Sequence, residues 1–212
     1  MSNVTYKLKY FNFRGRAEAI RILFKLANQN FEDIRFELSE WSALKQTFTF
    51  HQLPVLEVCE DSKTTVIAQS NSILRFVADR LGLSGKDDLE RAKCDMINEQ
   101  IISVFENLVN IYRMKDGDEK QKALDSTISE QVPNGYKLIQ NFLDESGFLV
   151  GDKITYADIV LVLSYDWLRD RKDEVLAKLP GLKKHYEKIM SIPLISQHIE
   201  ENKHVRLTIL FE

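Results

Sequence analysis

The stretch around Pro54 constrains the fold of this chain more than any other. Pro54 opens the apolar run Val55-Leu56-Glu57-Val58, and proline has no N–H to give to a sheet, so it belongs at the first position of a strand. The Leu53–Pro54 bond is a candidate for the cis form if the chain turns tightly there. A turn at residues 61–63 and a second short strand at residues 64–67 follow. The stretch therefore predicts a β-hairpin that begins at Pro54.

A helix is predicted directly after this hairpin. Ser70 is a candidate N-cap, and Gly82 stands where a glycine commonly ends a helix. The apolar residues between them recur at helical spacing: Ile73, Phe76, Val77 and Leu81. The unpaired amides and the positive dipole end of such a helix favour a carboxylate or phosphate beside Gln69 and Ser70. An ordinary strand, turn and capped helix explains the same residues, so both interpretations stand at this point.

The residues before Pro54 alternate between strand and helix patterns. Residues 5–10 and 31–37 are predicted strands, and a short helix around Trp41 precedes the hairpin. Between the two strands, a helix is predicted on the apolar positions Ile20, Leu23, Phe24 and Ala27. Its opposite, polar face is predicted to carry Glu18, Arg21 and Lys25. This order of elements can close into one mixed four-stranded sheet covered by helices, which is the thioredoxin-like pattern.

The second half of the chain has a different, helical character. Residues 82–88 contain two glycines and polar residues, as a linker does, and residues 89–112 form one long amphipathic pattern. Pro133 is expected to interrupt the next helix, and Thr155 with Asp158 predicts a capping box ahead of a nearly all-apolar helix. The sequence thus predicts an α/β thioredoxin-like N-terminal domain over residues 1–81, a linker over 82–88 and an all-α C-terminal domain over 89–212.

Composition excludes several classes of function. The net charge is −3 with interspersed signs and no basic stripe, which argues against nucleic acid as a partner. The longest aliphatic run, residues 159–163, is far too short to span a membrane, and the basic N-terminus does not resemble a signal peptide. The cysteines Cys59 and Cys94 form no framework, and the histidines have no metal-binding spacing. We therefore expect a cytoplasmic protein that binds no membrane and no metal.

The end of the first predicted strand is the place to look for chemistry. Dithiol oxidoreductases of the thioredoxin-like fold carry a C-x-x-C motif there. This chain has Tyr10-Phe11-Asn12-Phe13 instead, so no cysteine stands at that position. The hydroxyl of Tyr10 could instead donate a hydrogen bond to a thiolate that a ligand supplies, which would lower the pKa of that ligand's thiol. A tyrosine that is simply packed at the end of the strand is the competing interpretation.

Taken together, these segments resemble the cytosolic glutathione transferases, above all their sigma class, which includes glutathione-dependent prostaglandin D synthases. The resemblance rests on residues 10–18, on Trp41 with Lys45, on residues 52–57 and on Gln69-Ser70. It reaches the second half of the chain through Gly151-Asp152 and the capping box at residues 155–158.

The resemblance implies that glutathione is a co-substrate and that its partner is a small hydrophobic electrophile. It implies that Tyr10 is the catalytic hydroxyl and that Arg16 supports it. It further implies a glutathione site made of Tyr10, Trp41, Lys45, Gln52, Leu53, Pro54, Gln69 and Ser70. The second-substrate site is expected to use Phe13, Phe105 and Tyr112, with a contribution from the C-terminal tail left open. The family also implies a homodimer, in which an apolar surface around Phe48 and Phe50 would be covered.

Two positions depart from the family pattern. His51 stands where members usually have a small residue, and Ser103 stands where many have an aspartate that reaches the neighbouring subunit's glutathione or a metal. Isomerase or peroxidase activity with glutathione remains open beside conjugation. A protein that only binds hydrophobic ligands, or a structural relative such as the S-crystallins, is the alternative to an enzyme.

Overall fold

The structure is a computed structural model that describes residues 4–61 and 63–208. It separates into two units. One unit holds the chain up to Leu81 together with Gln197–Thr208, and the other holds Gly82–Ser196. In the described part of the chain, no helix is long and apolar enough to cross a membrane.

A mixed four-stranded sheet forms the centre of the first unit. Its strands are β1 (Thr5–Phe11), β2 (Glu32–Phe36), β3 (Val55–Glu60) and β4 (Lys63–Ala68), in the spatial order β2-β1-β3-β4. β1 pairs in parallel with β2 and antiparallel with β3, and β3 pairs antiparallel with β4. Alternate residues of β1 are buried and end at Tyr10, as the period of a strand requires. The sheet confirms the predicted thioredoxin-like class, and the Leu53–Pro54 bond before β3 is cis.

Helix α1 (Glu18–Leu26) follows a single 3₁₀ turn at Gly15–Ala17. Of its predicted apolar positions, Ile20, Leu23 and Phe24 are buried, and Ala27 is half-buried at the C-cap. The predicted polar face is only partly exposed. Lys25 is exposed, whereas Glu18 and Arg21 are 2% and 1% exposed. The assignment of Glu18 and Arg21 to a solvated face was therefore wrong. Glu18 and Arg21 pair with each other, and each also has a partner from another segment, His198 for Glu18 and Asp33 for Arg21, which a local pattern cannot reveal.

Short helical turns fill the segment between β2 and β3. They are 3₁₀ turns at Leu38–Glu40, Lys45–Thr47 and Thr49–His51 around α2 (Trp41–Leu44). Helix α3 (Ser70–Arg80) packs against α1. The expectation that Ser70 is the N-cap was wrong by one residue, because Gln69 occupies that position with φ 74° and Ser70 is the first helical residue.

The second unit consists of helices. They are α4 (Asp88–Tyr112), α5 (Asp118–Ser126), α6 (Val132–Gln140), α7 (Tyr156–Ser164), α8 (Lys172–Ala177), α9 (Pro180–Met190) and α10 (Pro193–Glu201), and the last turn of α10 belongs to the first unit. Before Pro133 the helix widens into a π turn at Thr127–Gln131, so the predicted interruption is present. The capping box of α7 is also confirmed, with both reciprocal hydrogen bonds made between Thr155 and Asp158. This all-helical unit completes the predicted fold class.

Candidate functional site

Tyr10 lies at the end of β1 and is 8% exposed. Its hydroxyl oxygen accepts a hydrogen bond from the backbone N–H of Arg16, with 3.3 Å between the two heavy atoms. The pKa of Tyr10 is raised because burial disfavours the phenolate, and this outweighs the Arg16 hydrogen bond and the positive charges of Arg16 and Arg21. Tyr10 therefore keeps its proton at neutral pH and is able to donate it in a hydrogen bond.

The turn at residues 13–16 brings the Arg16 amide to this hydroxyl. Gly15 has φ +40°, in the left-handed region that favours glycine, and an added Cβ would lie 2.8 Å from the Tyr10 hydroxyl oxygen. The space beside the phenol thus depends on Gly15 having no side chain. The Arg16 side chain is exposed, so its contact with Tyr10 is made by the backbone.

The C-terminal segment is hydrogen-bonded to the same turn. The N–H of Arg14 donates to the Arg206 carbonyl at 2.9 Å, and the N–H of Gly15 donates to the Leu207 carbonyl at 3.0 Å. The Arg14 side chain adds a bond from Nε to the Val205 carbonyl. The tail at residues 205–207 therefore pairs with the turn that carries the Arg16 amide. No local pattern predicts this pairing, because it joins residues nearly two hundred positions apart.

An aromatic cluster connects Trp41 to the end of β1. The Trp41 ring lies edge-on to Phe11, with 5.1 Å between the ring centroids, and Phe11 in turn contacts Tyr10 and Phe13 at 5.6 and 5.9 Å. The ring of Phe48 also contacts Trp41, with 5.8 Å between the centroids. These contacts bring Trp41, Tyr10 and Phe13, all predicted site residues, into one cluster. Lys45 is exposed one turn further on, where its carbonyl accepts from Nδ1 of His51 at 3.3 Å.

Gln52 and Gln69 meet beside the start of α3. The side-chain amide of Gln69 donates to the Gln52 side-chain oxygen at 3.3 Å, and both residues are exposed. Ser70 is the first residue of α3. Pro54, directly before β3, is buried, and Leu53 before it is half-buried. The two glutamines and Ser70 therefore form a polar surface at a helix N-terminus.

The remaining predicted residues lie in the second unit. The Tyr112 hydroxyl donates to the Trp167 carbonyl at 2.8 Å, so this buried phenol has a partner within its own unit. Phe105 is half-buried with its ring 5.6 Å from that of Trp167, and Ser103 is exposed on α4. Among the described residues, no group of three or more metal-binding side chains occurs.

Sequence reasoning missed one functional candidate, Arg21. Its Nη1 donates to the carbonyls of Phe13 and Arg14 at 2.9 and 3.3 Å, which are the carbonyls of the turn beside Tyr10. Its guanidinium carbon lies 5.9 Å from the centroid of the Tyr10 ring. Helical periodicity alone put Arg21 opposite the apolar stripe, and no local signal marked it as buried.

Comparison with known proteins agrees with this geometry. Residues 6–79 match the family described as "Glutathione S-transferase, N-terminal domain", and residues 102–202 match "Glutathione S-transferase, C-terminal domain". Among curated proteins, "Probable glutathione S-transferase 8" of Caenorhabditis elegans is 37% identical, with 93% of this chain and 96% of that protein covered. The hematopoietic prostaglandin D synthase of Gallus gallus is 32% identical with 92% and 96% covered, and S-crystallin SL11 of Nototodarus sloanii is 30% identical with 93% and 96% covered.

Solved structures give the same result. Na-GST-3 of Necator americanus, a glutathione S-transferase described as monomeric, superimposes with a TM-score of 0.84 at 36% identity and covers 93% of this chain and 97% of its own. The sigma class glutathione transferase of Fasciola hepatica has a TM-score of 0.82 at 27% identity and covers 98% and 99%. The resemblance predicted from the segments around Tyr10 and Gln69 is thus confirmed: the chain belongs to the glutathione S-transferase family, and its relatives include prostaglandin D synthases, an S-crystallin and a sigma-class transferase.

Proposed function

We propose that this glutathione transferase uses Tyr10 to ionise the thiol of glutathione and adds the resulting thiolate to small hydrophobic electrophiles. The observation that carries the proposal is the buried Tyr10 hydroxyl, whose oxygen already accepts from the Arg16 amide and whose pKa is raised by burial. The oxygen is polarised by that amide while its proton is retained. Such a group stabilises a neighbouring anion as a hydrogen-bond donor and does not act as a general base.

In this mechanism Tyr10 keeps its proton throughout the reaction. Glutathione loses its thiol proton to solvent, and the sulfur lone pair forms a bond to the electrophilic carbon. The electron pair of the bond that breaks leaves with the leaving group, or remains on the substrate and takes up a proton from solvent. A hydrogen bond to the charged sulfur lowers the thiol pKa from about 8.5 and so raises the fraction of nucleophile at neutral pH.

Glutathione binding is assigned to the polar surface at the start of α3 and to the segment before it. Gln52, Gln69 and Ser70 offer amide and hydroxyl groups beside a helix N-terminus, where a carboxylate such as that of the glutamyl unit is favoured. Leu53 and Pro54 would pair with the cysteinyl unit through the backbone of Leu53. Lys45 would pair with the glycyl carboxylate. Trp41 would contact glutathione beside Lys45, and its ring is linked to Tyr10 through the aromatic cluster.

The assignment of Phe13, Phe105 and Tyr112 to the electrophile stays a prediction. It is supported for Phe13 by the contact of its ring with Phe11, which adjoins Tyr10. For Tyr112, the hydrogen bond to the Trp167 carbonyl means that the ring and not the hydroxyl would contact a ligand. Replacing each residue by alanine should raise KM for the electrophile more than KM for glutathione.

Two other activities would use the same thiolate. A glutathione-dependent isomerisation is favoured by the similarity to prostaglandin D synthases. Peroxide reduction would need a second glutathione as reductant and would yield an alcohol, water and the glutathione disulfide. The non-catalytic alternative is favoured by the S-crystallin relative. The polar set around Gln52, Gln69 and Tyr10 argues for the enzyme, because a packing or solubility role does not require it.

We also propose a cytoplasmic homodimer. The cytoplasm is supported by the two cysteines, which are both free thiols. A dimer is supported by Phe50, which is 67% exposed on the 3₁₀ turn Thr49–His51.

The direct test is glutathione binding followed by a conjugation assay with a generic aromatic electrophile. The wild-type chain should bind immobilised glutathione and conjugate the electrophile, and Tyr10→Phe should bind glutathione but conjugate slowly at neutral pH. Binding without conjugation of a panel of aromatic and epoxide electrophiles would favour the crystallin-like alternative. Failure to bind glutathione at all would refute the proposed function.

A further inference from the structure

Arg21 carries a buried charge that the proposed chemistry does not yet use. Its side chain is 1% exposed, and it is compensated by Glu18 at 2.9 Å and by Asp33 at 3.1 Å. Removing a guanidinium from water carries a penalty of several kcal/mol, and an apolar residue of similar size often serves stability equally well. A charge at this position therefore calls for an explanation beyond packing.

The guanidinium is directed at the turn next to Tyr10. Nη1 donates to the carbonyls of Phe13 and Arg14, and the guanidinium carbon lies over the Tyr10 ring, 5.9 Å from its centroid. Nη1 alone makes the bonds to both carbonyls and to Glu18, while Nε binds Asp33, so the rigid guanidinium fixes the position of Nη1 against the turn. Lysine, whose chain ends one atom short of Nη1, cannot reach the same set of partners.

The amides of the turn are held by the C-terminal tail. The N–H groups of Arg14 and Gly15 donate to the carbonyls of Arg206 and Leu207. The next N–H along the chain is that of Arg16, and it donates to the Tyr10 hydroxyl oxygen. With the carbonyls fixed by Arg21 and the preceding amides fixed by the tail, the Arg16 amide has little freedom to leave the phenol.

We propose that Arg21 is a positioning residue for Tyr10. By fixing the Phe13 and Arg14 carbonyls and lying against the Tyr10 ring, it keeps the Arg16 amide on the Tyr10 hydroxyl and so sets the strength of the hydrogen bond that Tyr10 gives to the thiolate. This inference rests on the proposed function, in which Tyr10 stabilises the glutathione thiolate. Arg21 itself touches neither glutathione nor the electrophile in this account.

The test is the pH titration of the thiolate of bound glutathione, followed by its ultraviolet absorbance, in wild type and in Arg21→Lys. Lysine keeps the charge beside Glu18 and Asp33, but its chain ends one atom short of Nη1 and cannot hold the two turn carbonyls in the same way. We expect the bound thiol to titrate about one pH unit higher, so that conjugation at neutral pH falls about tenfold and recovers at alkaline pH. The Kd of glutathione should change less than threefold, because the residues assigned to its carboxylates are untouched.

Asp33→Asn is the matched control. Asp33 accepts from the Nε of Arg21 and from the Nε of Arg35, whereas the carbonyls of the turn accept from Nη1 of Arg21. This variant should lower the denaturation midpoint while leaving the titration at its wild-type position. If Arg21→Lys loses stability in the same way and titrates like wild type, Arg21 has a packing role and the inference is wrong.

A second variant covers the case in which Arg21→Lys does not fold. The pair Arg21→Gln with Glu18→Gln removes both charges together, so no uncompensated charge is left buried, and it should show the same upward shift of the titration. Failure of both variants to fold while Asp33→Asn folds would assign Arg21 to the fold and overturn the inference. If wild type binds no glutathione, or binds it without ionising it, the proposed function fails and Arg21 is not the cause.

Discussion

At the scale of single residues, the site depends on how closely the chain approaches the Tyr10 hydroxyl. The Arg16 amide reaches it at 3.3 Å, and the Cα of Gly15 passes so near that a Cβ would lie 2.8 Å from the oxygen. Real Cβ atoms almost never approach that closely, so either the phenol or the turn must move if a side chain is added. The position of the Tyr10 hydroxyl thus depends on residue 15 having no Cβ atom.

Gly15→Ala should therefore impair the chemistry without unfolding the protein. The strain of alanine at φ +40° costs about 1 kcal/mol, and displacement of the donor should lower conjugation at neutral pH roughly 10- to 100-fold. Gly82→Ala is the matched control, because Gly82 has φ +71° but no atom within 4 Å of an added Cβ. Steady-state kinetics and denaturation of both variants make the comparison. Equal activity loss in the two variants would show that strain alone, and not contact with Tyr10, is responsible.

Ser70→Ala should weaken glutathione binding without slowing the chemical step. An interaction made equally in the ground state and the transition state changes KM and leaves kcat alone. We expect KM for glutathione to rise several-fold, by the roughly 1 kcal/mol of one hydrogen bond, at constant turnover. Ser72→Ala, two positions further along the same helical turn, is the control and should leave both KM and kcat unchanged. A collapsed turnover with unchanged KM would give Ser70 a different role.

Glu18 determines how the stability of the first unit responds to acid. Burial acts to raise its pKa, but the hydrogen bond from His198 and the charges of Arg21 and His198 outweigh burial and hold the pKa below the ordinary 4.5. A group with a depressed folded pKa contributes its full stability above about pH 4.5, and this is lost as the pH falls through the folded value.

We therefore expect the free energy of unfolding to fall below about pH 4.5, and Glu18→Gln to flatten that part of the profile. Glu119→Gln, at an exposed position of α5, is the control and should leave the profile unchanged. Chemical denaturation at a series of pH values measures both. Parallel profiles for wild type and Glu18→Gln would contradict the assignment.

At the scale of secondary-structure elements, a buried hydrogen-bond network stabilises the start of α7. Asp158 is fully buried and accepts from the Thr155 N–H at 2.8 Å, the Leu149 N–H at 2.9 Å and Nε2 of His185 at 2.9 Å. One carboxylate thus caps a helix, fixes the preceding turn and pairs with α9. The capping box was predictable because its two members are three residues apart, whereas the bonds to Leu149 and His185 were not.

Asp158→Ala should be strongly destabilising, because it leaves several buried donors without a partner. We expect a loss of about 3–5 kcal/mol in the free energy of unfolding. Asp152→Ala, an exposed acid in the turn before the same helix, should change it by less than about 0.5 kcal/mol. Denaturant unfolding compares the two. Similar effects in both variants would mean that the network around Asp158 contributes little.

The limits of prediction from sequence follow from the same distinction between local and distant partners. The strands, the helix bodies and the interruption at Pro133 were predictable, because period and proline chemistry act within a few residues. The start of α3 was placed one residue off, since a cap serine and a first-turn serine give the same pattern. The burial of Arg21 and the pairing of residues 205–207 with the Tyr10 turn depend on segments far apart in the chain. The sequence offered no signal for either.

At the scale of the whole molecule, the proposed homodimer is the main prediction. Phe50 has φ 57° and is 67% exposed, so a large apolar side chain is presented to solvent on a strained turn. One related structure is described as monomeric, so the oligomeric state does not follow from membership of the family.

Analytical ultracentrifugation at micromolar concentration should give the mass of a dimer for wild type and a shift towards monomer for Phe50→Ala. Phe142→Ala removes an exposed phenylalanine of the second unit and is the control that should stay dimeric. A monomeric mass for wild type would refute the homodimer. If Phe50→Ala remains a dimer, the interface does not depend on Phe50 and lies on another surface.

The central claim is that Tyr10 makes glutathione a thiolate near neutral pH, and the most direct measurement is the ultraviolet titration of bound glutathione in wild type and Tyr10→Phe. Phenylalanine keeps the ring in its aromatic cluster and removes only the hydroxyl. The account predicts that the bound thiol of wild type titrates near neutrality. In Tyr10→Phe it should return to about 8.5 to 9, with conjugation at neutral pH reduced roughly 10- to 1,000-fold and partly restored at higher pH. A folded Tyr10→Phe variant whose bound glutathione titrates as in wild type would contradict the account.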